Sequence, residues 1–118
     1  MQRHDHLREL LTAHSPEDER EKDFRTAMLE LLKAGPNSFS RDHFLPGHFT
    51  ASAFVLSPSS DALLLIFHGK LHRWLQPGGH IEPNDPNVLK AAMREVAEET
   101  GLVQVQPVGS GLFDVDIH

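Results

Sequence analysis

Residues 78–102, with the sequence GGHIEPNDPNVLKAAMREVAEETGL, decide the fold and carry most of the chemistry that the chain reveals. Apolar side chains recur at helical spacing between residues 87 and 100, and the following Gly101 is a typical end for a helix. On such a helix Glu95, Glu98 and Glu99 stand at positions i, i+3 and i+4, so their carboxylates lie on one face. The apolar positions are Leu89, Ala92, Met93 and Val96.

Three carboxylates within one helical turn repel one another, and the repulsion grows because they border the apolar stripe. Carboxylate oxygens are hard ligands that suit Mg²⁺, with Mn²⁺ as the alternative. We therefore expect Glu95, Glu98 and Glu99 to hold divalent cations, and Arg94 to orient one glutamate through a bidentate hydrogen bond. Taken alone, the three glutamates are also consistent with a solvated acidic face.

The pair Gly78-Gly79 predicts a tight turn after Pro77, with positive φ angles that let the backbone approach an anion such as phosphate. An ordinary turn would use the same glycines. The glycine pair and the acidic helix occur together, and this combination favours a phosphate site over an ordinary turn beside a solvated acidic face.

The first 35 residues predict helices. Leu7, Leu10 and Leu11 indicate a short first helix, and a second one is predicted with Ser15 as N-cap and Pro16 in its first position. We interpret residues 1–36 as a helical arm and residues 37–48 as a connector. The second helix carries an apolar stripe of Phe24, Ala27, Met28, Leu31 and Leu32, and Gly35 ends it.

Strands dominate the remaining prediction. Residues 50–56 and 62–68 form a predicted hairpin around a turn-forming cluster, and residues 71–76 add a short strand. Residues 103–108 and 112–117 predict two more strands. Helix and strand patterns together predict an α/β domain over residues 49–118.

Composition restricts the class of protein. The chain has 118 residues and no cysteine, which suits one domain and excludes disulfides, thiolate zinc sites and cysteine nucleophiles. A net charge of −6 argues against duplex nucleic acid as a partner. The longest apolar run, residues 62–67, is too short for a membrane span, so we expect a cytoplasmic protein that does not bind membranes.

Residues 79–102 resemble the Nudix box: Gly, five residues, Glu, seven residues, Arg-Glu, an aliphatic residue, any residue, Glu-Glu, any residue, Gly and an aliphatic residue. Two departures from this pattern occur. Asp85, which follows Gly79 after five intervening residues, stands where the pattern has its first Glu, and eight residues instead of seven separate Asp85 from Arg94. Asp85 is therefore not assigned as a metal ligand. The second half matches throughout, at Arg94, Glu95, Val96, Glu98, Glu99, Gly101 and Leu102.

The resemblance implies an α/β/α sandwich around a mixed sheet, and hydrolysis of a diphosphate linkage with Mg²⁺ or Mn²⁺. The implied substrate is a small molecule in which a nucleoside diphosphate is joined to another group: a sugar nucleotide, ADP-ribose or a nucleoside triphosphate. Arg94, Glu98 and Glu99 would be catalytic, with Glu98 preferred as general base. The implied metal ligands are Glu95, Glu98 and Glu99, and the implied phosphate-binding residues are Gly78 and Gly79.

Sixteen residues follow Leu102, fewer than the family fold needs. We expect an incomplete C-terminal part, or a layer supplied by the N-terminal helices or a partner chain, and an unpaired sheet edge would favour a homodimer. The alternative function is a non-catalytic nucleotide-binding or regulatory domain. Asp114 and Asp116 fit solvent-facing positions on an edge strand better than a catalytic role.

Other polar residues are weaker candidates. Lys70, Arg73 and His80 precede or follow the glycine pair closely, and solvated loop charges are favoured over phosphate contacts. For Trp74 a packed aromatic is favoured over a ring that stacks on a base. No zinc site is expected, because no standard ligand spacing is present among His43, His48, His68 and His72.

Overall fold

The computed structural model describes residues 2–43 and 47–117, so residues 44–46 of the predicted connector and the two terminal residues lie outside the described part. The chain divides into two compact units, Met1–Phe49 with Gln106–His118, and Thr50–Val105. Helices combine with small antiparallel sheets, which confirms the predicted α/β class. Within the described ranges no helix has the length and apolar character to cross a membrane.

The first unit contains helices α1 (Gln2–Ala13) and α2 (Glu19–Leu32), followed by a 3₁₀ helix at Gly35–Phe39. Both predicted helices are confirmed, but the predicted start of α2 at Pro16 is wrong. Asp18 is the N-cap, and its side chain accepts a hydrogen bond from the Glu21 amide at 2.8 Å. The Glu21 carboxylate in turn accepts from the Glu17 amide at 2.9 Å, which holds the preceding segment outside the helix.

The core of the first unit joins the helices to the last residues of the chain. Its buried apolar side chains are Leu7, Leu11, Leu32, Phe39, Phe49 and Val115. Polar contacts support this packing: His4 Nε2 lies 2.9 Å from the Gly35 carbonyl, and the buried His14 ring bonds to Glu21. His14 Nδ1 lies 3.2 Å from the Leu112 carbonyl, so the same histidine contacts the C-terminal segment.

The second unit contains six strands and one helix, and the strands form three antiparallel pairs. Strand β1 pairs with β6, β2 with β3, and β4 with β5. The short strand near residue 74 is confirmed, but the predicted hairpin is confirmed only where β2 pairs with β3. Its outer parts, β1 and β4, pair with β6 and β5 instead. The elements are β1 (Thr50–Ser52), β2 (Val55–Leu56), β3 (Leu63–Leu64), β4 (Ile66–His68), β5 (Arg73–Leu75), β6 (Gly78–His80) and α3 (Val88–Thr100).

Helix α3 begins and ends as the sequence predicts. The Asn87 side chain caps it by accepting from the Lys90 amide at 2.9 Å, and Gly101 ends it with a φ of 79°. The helix packs on β1 and β6 and buries Ala91, Ala92 and Val96. Leu89, predicted on the apolar stripe, is instead 41% exposed.

Two local predictions are wrong. Gly78-Gly79 does not form a tight turn, because both residues lie in β6 and hydrogen-bond to β1. Residues 103–117 form no strand, because no neighbouring strand is hydrogen-bonded to them and a strand needs such a partner. Val103 and Val108 are 76% and 90% exposed, which leaves their apolar pattern without a surface to cover.

Candidate active site

Arg94 is the centre of the polar contacts on α3. Its Nη1 atom lies 3.1 Å from Glu95 Oε1, 2.6 Å from Glu98 Oε1 and 3.6 Å from Glu82 Oε1. Its Nη2 atom donates to the His80 carbonyl at 3.0 Å. One guanidinium therefore links the loop before α3 to two glutamates of the helix face, and the surrounding carboxylates raise the pKa of Arg94 further.

The bidentate partner of Arg94 is Asp85, not a glutamate as we expected. Nε donates to Oδ1 at 2.9 Å and Nη2 donates to Oδ2 at 2.8 Å. Asp85 Oδ2 also accepts from the Glu82 amide at 2.8 Å, which closes the loop on itself. The Asp85 side chain is only 7% exposed, so this residue anchors Arg94 from inside the loop.

Glu95 is the most enclosed of the three predicted ligands, with 14% of its side chain exposed. Burial raises the pKa of Glu95, the neighbouring Glu99 carboxylate raises it further, and Arg94 opposes both effects. Burial and the neighbouring carboxylate thus disfavour the ionised form of Glu95 more than Arg94 favours it.

The two glycines allow close packing around this carboxylate. A Cβ at Gly79 would lie 2.9 Å from three atoms of the Glu95 carboxyl group. A Cβ at Gly78 would lie 2.3 Å from Ser52 Cβ and 2.7 Å from the Ala51 carbonyl oxygen across the β1–β6 pair. Neither glycine has a positive φ, so close approach rather than backbone freedom is what requires them.

Glu98 and Glu99 are exposed on the same turn of α3. Arg94 links Glu95 to Glu98, and Glu95 interacts directly with Glu99, so the structure brings the three predicted ligands together. Across residues 2–43 and 47–117, however, no three histidine or acidic side chains form a ready-made metal site. Arg94 bonds to one oxygen each of Glu95 and Glu98.

A cleft of about 310 Å³ lies beside the acidic face. Its walls are both apolar and polar, and Glu99 of α3, Gly78 of β6 and residues of the β4–β5 pair all line it. The lining residues are Ile66, His68, Leu75, Gln76, Gly78 and Glu99. Such a cleft can take a polar small molecule with the helix carboxylates at one side.

The remaining candidates are not among these lining residues. Trp74 is 63% exposed, against our expectation of a packed ring, and it contacts Phe67 edge to face at 5.3 Å. Lys70 is exposed in the turn between β4 and β5, and Arg73 is exposed at the start of β5. Asp114 and Asp116 are exposed and belong to the first unit, where the strand predicted to carry them is not formed.

Comparison with known proteins identifies the protein family. A family model described as "NUDIX domain" matches residues 46–116, more than half of the chain. The chain belongs to the Nudix family. A relative, the bis(5'-nucleosyl)-tetraphosphatase [asymmetrical] of Rattus norvegicus, is 36% identical over 63 residues, which cover 52% of this chain and 37% of the relative. The chain thus spans little more than a third of that relative.

Sequence reasoning missed two features of the site. Asp85 was left without a role, although an acid at the box's first Glu position is a signal for an Arg94 partner. His68 was weighed only as a zinc ligand, and Gln76 was not considered at all. The alternation of Ile66 and His68 along one strand face could have placed His68 beside the cleft.

Proposed function

We propose that this chain hydrolyses a phosphoanhydride linkage in a nucleoside diphosphate derivative by attack of water, with Mg²⁺ or Mn²⁺ as cofactor. The observation that carries the proposal is the acidic face of α3, where Arg94 is shared among Glu82, Asp85, Glu95 and Glu98 while Glu99 lines the cleft. Four carboxylates contact one guanidinium and Glu99 adds a fifth negative charge nearby, and this excess of negative charge suits divalent cations.

The donor set fits such a cation. Glu95, Glu98 and Glu99 offer hard oxygen ligands on one face, and burial together with Glu99 raises the pKa of Glu95 although Arg94 pairs with it. When bound there, a divalent cation would neutralise charge on the phosphate oxygens and acidify a water molecule.

The site residues of the chain have distinct proposed roles. Arg94 holds Glu95 and Glu98 in place while Asp85 fixes the guanidinium, so both Arg94 and Asp85 are positioning residues. Glu98 is the proposed base: Arg94 binds its Oε1, and within the described chain its Oε2 accepts no hydrogen bond. Glu99 presents its carboxylate to the cleft, and the backbone of Gly78 and Gly79 would lie against the phosphates.

The candidate substrates come from two sources, the Nudix family and the name of the similar protein. Sugar nucleotides, ADP-ribose and nucleoside triphosphates follow from the family, and the tetraphosphatase adds dinucleoside tetraphosphates. We also propose the division into an arm at 1–36, a connector at 37–48 and a Nudix domain at 49–118. The match to residues 46–116 supports that domain, and family membership supports an α/β/α sandwich.

A second candidate is a non-catalytic nucleotide-binding domain. The contacts of Arg94 with Glu95 and Glu98 favour it, because they engage oxygens that a cation would otherwise use.

Phosphate release from this panel, with and without Mg²⁺, separates the two candidates. Hydrolysis that requires Mg²⁺ and falls roughly 100-fold or more in Glu98→Gln or Glu99→Gln supports the enzyme. Glu30→Gln is the matched control, since Glu30 is an exposed carboxylate on α2 that pairs with Lys33. No release by the unaltered chain, with nucleotide binding still detected by calorimetry, supports the binding domain.

A further inference from the structure

The second unit has a segment of one charge sign beside its acidic helix. Residues 62–81 contain no Asp or Glu, although the chain has 17 acidic residues. They contain Lys70, Arg73 and three histidines, and they form strands β3 to β6. A polyanionic ligand would therefore meet positive charge on these strands and carboxylates on α3.

The register of β4 and β5 decides which side chains face the cleft. Ile66 lies opposite Leu75 and His68 lies opposite Arg73, and directly opposed residues share a face of an antiparallel pair. Ile66, His68 and Leu75 all line the cleft, so Arg73 lies on the cleft face as well. Trp74 lies opposite Phe67 on the other face, which removes its ring from this site.

Hydrogen bonding fixes which nitrogen of His68 can donate. The Leu71 amide donates to His68 Nδ1 at 3.1 Å, so the ring proton of neutral His68 is on Nε2. In the part of the chain that the structure describes, the His68 ring makes no other hydrogen bond, and Arg73 makes no ion pair with a carboxylate. Both side chains are exposed, so each retains a donor for a ligand.

We propose that His68 and Arg73 form an anion subsite on the cleft face of the β4–β5 pair. The subsite binds the phosphates of the substrate that lie beyond the linkage facing the acidic helix. It favours nucleotides with three or more consecutive phosphates over diphosphates whose second group is a neutral sugar. This inference rests on the proposed function for the identity of the reaction, but the subsite itself can be tested without turnover.

The test is calorimetric binding of inorganic tripolyphosphate and pyrophosphate, as magnesium salts, to the full chain and its variants. Arg73→Gln should weaken tripolyphosphate binding about tenfold, the effect of losing one charge-assisted hydrogen bond, and should change pyrophosphate binding far less. Lys70→Gln is the matched control, because it removes the same charge from the turn between β4 and β5 and should leave both affinities nearly unchanged.

Two further variants test the role of the His68 ring. His68→Asn keeps an acceptor near the position of Nδ1 and loses the distal donor, so it should weaken tripolyphosphate binding. His68→Gln keeps a distal N–H donor and should retain most of the affinity. Thermal melting of each variant establishes that it is folded.

The outcomes separate this inference from the proposed function. A preference for tripolyphosphate that Arg73→Gln and His68→Asn remove supports the subsite, even if the unaltered chain hydrolyses no nucleotide and the proposed enzyme fails. Equal affinity for both anions, no binding of either, or equal losses in Lys70→Gln and Arg73→Gln would overturn the subsite. The phosphate-release assay on the nucleotide panel would then test the proposed hydrolase independently of the subsite.

Discussion

Two parallel hydrogen bonds join the Arg94 guanidinium to the buried Asp85 carboxylate, at 2.9 Å and 2.8 Å. The pair ties the loop before α3 to the middle of the helix. Asp85→Asn removes the charge and can keep only one of the two acceptors, so we expect the free energy of unfolding to fall by about 2 kcal/mol. Chemical denaturation followed by circular dichroism measures this loss.

The control for that variant is Glu82→Gln. Glu82 has 58% of its side chain exposed and lies 3.6 Å from Arg94 Nη1, so its removal should change the free energy of unfolding by less than about 0.5 kcal/mol. Equal losses in the two variants would show that Asp85 has no special role.

Adjacent glycines of β6 should respond differently to the same substitution. In Gly79→Ala the new methyl group meets the movable end of Glu95, so we expect a near-normal melting temperature and a large loss of hydrolysis. In Gly78→Ala it meets Ser52 and the backbone of β1, so we expect a loss of about 1 to 3 kcal/mol in stability. Thermal melting and phosphate release on both variants test the contrast, which a stable Gly78→Ala chain would contradict.

The stability of the first unit should depend on pH through Glu21. Hydrogen bonds from His14 and from the Glu17 amide hold the pKa of Glu21 below its ordinary value of 4.5. A lowered folded-state pKa adds stability above pH 4.5, and that contribution disappears as the pH falls through the folded-state pKa. Glu21→Gln should therefore melt below the unaltered chain near neutral pH, and the gap should close in acid.

Melting temperatures over an acid-to-neutral pH series measure that gap. Glu30→Gln on the exposed face of α2 is the control and should show a small gap with little pH dependence. A Glu21→Gln gap that persists or widens in acid would contradict the assignment.

The caps of α3 were predictable because Asn87 and Gly101 act locally. The conformation of Gly78 and Gly79 was not, since glycine serves both positive φ and close approach, and only Ser52 and Glu95 show which applies. Strand propensity at Val103 and Val108 likewise had no effect without a neighbouring strand.

The pairing of Arg94 with Asp85 could not be predicted from sequence patterns either. Arg94 had several acids within reach along the chain, and the fold of the loop selects Asp85. The same limit applies to His68, whose place beside the cleft depends on the register between β4 and β5.

Removing the buried charge of Glu95 should reveal whether a cation compensates it. Without divalent ions, Glu95→Gln should raise the melting temperature, because burial and Glu99 disfavour the Glu95 carboxylate. Added Mg²⁺ should stabilise the unaltered chain and have a much smaller effect on the variant. Thermal melting with and without Mg²⁺ tests this, with Glu30→Gln as control, and equal Mg²⁺ shifts in all three chains would contradict it.

The most direct test of the central claim is the anomalous scattering of manganese in crystals soaked with Mn²⁺ and a non-hydrolysable nucleotide. We predict a peak about 2.1 Å from carboxylate oxygens of the Glu95, Glu98 and Glu99 face, by analogy with magnesium–oxygen distances. The absence of any peak beside these three side chains, with the nucleotide bound in the cleft, would contradict the claim that α3 holds the cation.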